Sequence, residues 1–200
     1  MNLAKLFEMQ RQLDEHIEKE HPRELGEDRL AKKILALMVE LGELANEARF
    51  FKYWSNDQEA RTNVKCTKCG GFGYWFLGTV RFHCSSCDGK GFINRVLEEF
   101  ADGFHFLLSI GNDINMNEVY ENEEPKPLYC EDIIEQFIVV NDWVNSLYYR
   151  RHEDVNGEMY DLVFAYFLGL GEMLGFTWEE IEEAYLRKNA VNHQRQESGY

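Results

Sequence analysis

One short pattern, C-x-x-C-x-G-x-G, occurs twice, as CTKCGGFG at residues 66–73 and CSSCDGKG at 84–91. Most other apolar residues recur at helical spacing, so any fold must carry a cysteine-rich excursion on a helical body. Two residues separate the cysteines of each pair, and fourteen separate Cys69 from Cys84. That spacing is typical of a tetrahedral zinc site with four thiolate ligands. Glycines after each pair free the backbone to curl until its amides face the sulfurs. Residues 62–93 hold six of the fifteen glycines and four of the five cysteines, with β-prone runs such as YWFLGTVRF. They read as a β-rich insertion too short to bury a core of its own, so metal binding supplies its folding energy. One structural zinc on Cys66, Cys69, Cys84 and Cys87 is the expectation; four ligands close its shell and leave no catalytic position. Redox-active dithiols are the other reading, and two matched pairs favour metal. Cys130, the odd one out, reads as a small, partly buried residue near a helix start.

Around the insertion the 3.6-residue period dominates. Leu3, Leu6, Phe7, Gln10, Leu13 and Ile17 share one face of a first helix. A second covers residues 29–51, with Asp28 as N-cap and a stripe of Ile34, Leu37, Met38, Leu41, Leu44, Ala45 and Ala48. A third covers 94–113 on Leu97, Phe100, Ala101, Phe104, Leu107, Leu108 and Gly111. After the loop YENEEPKPLY, further helices are expected at 131–149, at 156–174 and from 177 onward, the last opening on the capping-box pattern TWEE. The reading is an all-α helical bundle: one domain over residues 1–200, with the zinc-binding insertion at 62–93 between the second and third helices.

Composition narrows the partners. A formal charge of −15 argues against a protein whose whole surface grips nucleic acid or an anionic membrane, and leaves room for a local basic site. Counted from Arg61, the cysteine segment carries Arg61, Lys65, Lys68, Arg81 and Lys90 against Asp88, a local balance of about +4 that leaves a partner or nucleic-acid contact open, with a solvated rim the commoner explanation. No run approaches the length of a membrane span, and the charged, amphipathic N-terminus is unlike a signal peptide. A cytoplasmic location is expected, where free thiols or metal ligands are the default state of cysteine.

Acidic residues cluster where helices are expected. Glu40, Glu43 and Glu47 project from one strip about 60° wide at 100° per residue, and Glu99 and Asp102 lie about 60° apart on the third helix. A single E-x-x-E is usually a solvated face, and like charges at this spacing repel. Two such strips on helices that fold back on each other could instead converge on one cleft. There a hard divalent cation such as Mg2+ would turn repulsion into chelation and bridge to substrate phosphates. Near the C-terminus Lys188, Asn192 and Arg195 fall on one helical face, a set suited to phosphate and equally to complementing a helix dipole.

These motifs carry two resemblances. The cysteine repeat resembles one unit of the DnaJ-type zinc-binding domain, as a pattern. E-x-x-E at Glu40 and Glu43 followed by E-x-x-D at Glu99 and Asp102 resembles the signature of the all-α NTP pyrophosphatase superfamily, which includes MazG-like enzymes and dimeric dUTPases. KILALMVELGELANE, FFKYWS, EEFADGFHFLLSIG and YLRKN-x-x-N-x-x-RQ-x-x-GY are similar to dimeric dUTPases of Gram-positive bacteria and their phages. The similarity spans the chain except the cysteine insertion, since relatives commonly join the two helices directly.

The resemblance implies a homodimeric helical enzyme that hydrolyses dUTP, and typically dUDP, to dUMP with two or more Mg2+ ions. Glu40, Glu43, Glu99 and Asp102 match the metal-ligand positions, and Glu43 is given the role of base toward water. Gln10 and Asp14 match the uracil-reading side of the first helix, although asparagine often stands where Asp14 is. Phe106 matches the aromatic near the base, with Trp54 a further candidate; core packing is their other explanation. Lys188, Asn189, Asn192 and Arg195 match the phosphate-contacting motif. Two alternatives stay open: a related pyrophosphatase acting on another nucleotide, and a zinc-ribbon interaction or regulatory protein on the same scaffold.

Overall fold

Short polar caps start the helices of this computed structural model, which describes residues 2–120, 125–153 and 156–199. Asn2 Oδ1 accepts from the Lys5 amide at 3.1 Å and opens α1 (Leu3–Glu20). Asp28 accepts from Ala31 N at 2.9 Å and opens α2 (Arg29–Ala48). Each satisfies one of the donors that a helix start leaves unpaired. α2 stops three residues short of the expected end, because Arg49 turns into the left-handed region at φ 66° and its amide closes on Ala45 O.

The chain then leaves the bundle and returns to the same place. β1 (Val64–Lys65) pairs antiparallel with β4 (Phe92–Ile93), and β2 (Tyr74–Leu77) pairs with β3 (Val80–His83) as a separate hairpin. Below this neck Arg95 N donates to Arg61 O at 2.9 Å, and Arg61 N to Glu47 O at 3.0 Å. The excursion therefore costs the body no reach, and α3 (Arg95–Asp113), capped by Asn94, starts beside the end of α2. The two helices pack along each other more extensively than any other pair among the described residues.

α3 is the central helix, packed against α1, α2, α6 and α7. A four-residue turn, α4 (Met116–Val119), follows it and was not expected from the periodicity. Residues 121–124 of the expected loop lie outside the described residues. α5 (Ile133–Arg150), capped by Asp132, packs on α6 (Asn156–Met173) and α2. Tyr160, Val163, Phe164, Phe167 and Leu170 of α6 are fully buried, so this helix is apolar round most of its circumference because it runs through the core. α7 (Trp178–Glu197) opens on the expected capping box, Thr177 with Glu180, and lies across α1 and α3. The fold is mostly helical, as expected, with the strands confined to the cysteine segment. No single helix among the described residues is long and apolar enough to cross a membrane.

Candidate functional site

The two acidic strips meet. Carboxylate oxygens of Glu40 and Glu43 on α2 and Glu99 on α3 all lie within 4.8 Å of one another. Glycine at position 103 helps: a Cβ built there falls 3.8 Å from Glu40 Cβ and 3.2 Å from the Phe167 ring, so α3 can lie close against the stem of Glu40. Asp102 stands beside this trio and takes a hydrogen bond from Lys188 Nζ of α7. Glu47, on the same strip of α2, is outside the group.

Crowding raises the affinity of these groups for protons. Burial first, then the negative charges of Asp102, Glu43 and Glu99, pushes Glu40 up to about 7. Glu99 is likewise raised to about 7, by burial and then by Asp102 and Glu43. Burial also raises Asp102, against the pull of Lys188 and of Arg195. Such shifts follow from half-buried acids that repel one another, a pattern that clusters at functional sites. The donor set, all carboxylate oxygen, suits a hard divalent ion.

A cleft of about 1000 Å3 runs from Glu40 and Asp102 to the inner face of α1, and Phe106, Lys188 and Asn192 line it. At its α1 end the polar groups form a closed network. Gln10, 3 % exposed, donates through Nε2 to Asp14 Oδ1 at 2.8 Å, so its Oε1 is the acceptor. That oxygen receives Tyr185 OH at 3.2 Å and faces His105 Nδ1 at 2.8 Å. Burial holds the His105 imidazole far below its usual range, at about 3. The ring is therefore neutral, and against the Gln10 acceptor oxygen it presents its hydrogen on Nδ1. Asp14 Oδ2 accepts from Ser109 Oγ at 2.7 Å and lies 3.7 Å from Lys33 Nζ, which also pairs with Asp113 at 2.8 Å. Burial still raises Asp14.

The expected residues thus fall into groups. Glu40, Glu43, Glu99, Asp102 and Lys188 gather at one end of the cleft; Gln10, Asp14 and Phe106 line the other. Asn192 lines the cleft and accepts from Arg195 Nη1 at 3.4 Å, while Asn189 is buried with its Nδ2 unpartnered. Trp54 does not line the cleft; it sits on the loop after α2, 66 % exposed, edge-on to Phe51 and Tyr53. His105, Ser109 and Lys33 were not singled out from the sequence. The signal for two of them was present, since His105 is one turn on from Asp102 and Ser109 one turn further, on the same strip of α3.

Away from the cleft the four paired cysteines are buried and free of disulfides. Sγ atoms of Cys66 and Cys84 are 3.9 Å apart, and those of Cys69 and Cys87 3.6 Å. A tetrahedron with Zn–S bonds of about 2.3 Å has an edge of about 3.8 Å, so the thiols stand at zinc spacing. The repeat is carried into the geometry: Gly73 N donates to Cys69 Sγ and Gly91 N to Cys87 Sγ, both at 3.2 Å. Both glycines have positive φ, and a Cβ there would come within 2.1 Å of Gly89 O or 2.3 Å of Gly71 O, so no other residue fits.

Compared with known families, the chain matches a model described as dUTPase over residues 2–68 and 82–200. The unmatched stretch, 69–81, spans the end of the first cysteine knuckle and most of the β2–β3 hairpin. No curated protein matches the chain.

Proposed function

The chain belongs to the dUTPase family and is a dUTP diphosphatase, and we propose that it converts dUTP, and dUDP, to dUMP with Mg2+ held by Glu40, Glu43, Glu99 and Asp102. The observation that carries this reading is the convergence of three carboxylates from two helices within 4.8 Å, two of them raised to about 7. Bound there, two or more magnesium ions supply Lewis-acid stabilisation of charge on the phosphates. The protein's own groups do the rest. Glu43, at the exposed edge of the trio, takes a proton from the attacking water. A new P–O bond forms as the bond to the departing phosphate group breaks, leaving dUMP and, from dUTP, pyrophosphate. Lys188, which pairs with Asp102 at the rim of the site, would meet the phosphates, with Arg195 as a second cation and Asn192 as an amide donor beside it. Phe106 packs on the base, while Gln10 fixes Asp14 and His105 at the base end of the cleft.

The cysteine cluster supports one structural zinc, and its thiols fit a reducing compartment such as the cytoplasm. A homodimer is supported by apolar side chains left exposed on the packed pair α2 and α5: Leu35 and Val39 on one, Ile134 and Ile138 on the other. The test is to incubate pure protein with Mg2+ and a panel of deoxynucleotides and follow product release. dUMP is expected from dUTP in preference to products from dCTP or dTTP, and Glu43→Ala or Asp102→Ala should abolish turnover without unfolding the protein. Full activity in EDTA would refute the metal mechanism; equal turnover of all nucleotides would point to a broader pyrophosphatase.

A further inference from the structure

The cysteine arm takes no part in that chemistry, yet its surface is built unlike the body. Every residue of β3 is exposed, and β2 is little better covered. The register pairs Tyr74 with His83 and Phe76 with Arg81, so these four side chains share one face of the hairpin. On it the Arg81 guanidinium lies 3.9 Å over the Tyr74 ring, and Phe76 meets that ring edge-on at 5.4 Å. Phe72 tilts toward it from the adjoining knuckle at 6.4 Å. Phe72 is 71 % and Phe76 61 % exposed. A cavity of about 390 Å3 opens between Tyr74, Arg81 and His83, with Asp88 at 3.6 Å from His83 Nε2. The opposite face, Trp75, Leu77, Val80 and Phe82, carries no charge.

The cations of the arm are also mostly unpaired with acids. On the body, most basic side chains are matched by the surplus of acids, as Lys33 is by Asp113, Arg61 by Asp57, Arg151 by Asp28 and Lys188 by Asp102; Lys52 differs, donating to Asn46 Oδ1. Among the described residues, Lys65, Lys68 and Arg81 have no carboxylate partner; Lys90 alone in the arm does, in Glu183. In a chain of net charge −15, three unneutralised cations beside exposed aromatic rings call for a ligand that brings negative charge and flat π faces together.

We propose that this arm binds single-stranded nucleic acid, bases stacking on Phe72, Tyr74 and Phe76 while Arg81, Lys65 and Lys68 meet phosphates. Aromatic platforms with interleaved cations take up unpaired bases with little sequence preference, whereas a duplex hides those faces. The acidic body confines the contact to the arm, so the site is short and the binding weak and strongly salt-dependent. The inference stands apart from the hydrolytic reading, since none of these residues touches the cleft.

Fluorescence anisotropy of full-length, zinc-loaded protein tests it, using labelled oligo-dT and oligo-rU of about 15 nucleotides and a duplex of equal length. Micromolar binding to the single strands is expected, with a log–log salt slope of about −2 for three phosphate contacts. The duplex should bind at least about tenfold more weakly. Phe76→Ala and Arg81→Glu should each weaken binding about tenfold or more, with zinc content and dUTP turnover unchanged. Lys68→Glu, outside the hairpin, repeats the charge test should Arg81→Glu disturb the strands. Absence of an anisotropy change at high protein concentration in low salt would overturn the proposal. So would binding that survives both Phe76→Ala and Lys68→Glu, or self-association through the arm that these changes abolish.

Discussion

Lys188 of α7 donates to Asp102 of α3, closing a contact between residues 86 positions apart at the rim of the carboxylate group. The pair is half-sheltered, with the lysine side chain 27 % and the aspartate 15 % exposed. It neutralises one acid of the site and parks a cation where phosphates are to be gripped.

Removing that cation leaves Asp102 facing its acidic neighbours alone. Lys188→Ala should destabilise metal-free protein by about 1–2 kcal/mol, less than for a fully buried pair because water still reaches it. Chemical denaturation in EDTA measures this. Mg2+ should recover much of the loss, while KM for dUTP rises; a variant as stable as the parent in EDTA would contradict the role given to the pair.

The raised Glu40 and Glu99 link metal binding to protons. Their folded values, about 7, lie above the ordinary glutamate value of 4.5, so the folded state holds extra protons between these limits. Their contribution to metal-free stability is therefore full below about pH 4.5 and fades as pH climbs through about 7. The rise in Tm given by Mg2+ should grow from about pH 6 to about pH 8, and Mg2+ binding near pH 7 should release protons. Calorimetry in two buffers of different ionisation heat reads that release directly. A Tm gain from Mg2+ that is the same at both pH values would count against a shared carboxylate site.

Zinc should be needed by the arm and not by the bundle. Cys84→Ser should lose the metal and open residues 66–91 to proteases, while the helical circular dichroism signal persists. The reason is the neck: Arg95 N to Arg61 O and Arg61 N to Glu47 O tie the arm off below β1 and β4. Cooperative loss of the helices on chelation would show that the arm props the body.

Gln136 is a fully buried tie between α5, α6 and the loop before α5. Its Nε2 donates to Leu128 O at 2.9 Å and Tyr166 O at 2.7 Å, and its Oε1 accepts from Cys130 N at 2.7 Å. Gln136→Leu keeps the bulk and strands three backbone groups, so a loss of about 2–4 kcal/mol is expected from denaturant unfolding. A neutral outcome would mean that the loop simply moves off to solvent.

Local rules made much of this legible in advance. Asp28 and the Thr177–Glu180 box announced two helix starts by the donors they satisfy, and the stripes of α1, α2 and α3 announced which sides are buried. α4 is one turn, too short for a period to register, and the end of α2 was overshot because Arg49 adopts a left-handed conformation that its residue type does not advertise. Within the cleft, Ser109 and His105 escaped notice because their partners, Asp14 and Gln10, are each 95 residues away.

What the sequence determined by itself was chemistry at short range: which segments coil, where four thiols recur at zinc spacing, and which acids stand one turn apart. Tertiary structure alone decided that the two acid strips face each other, that Lys188 reaches Asp102, and that the hairpin is left bare on both sides. Periodicity and caps act over a few residues along one helix. Which helix lies against which is set by burial of whole faces, a property of the packed chain that no local spacing encodes.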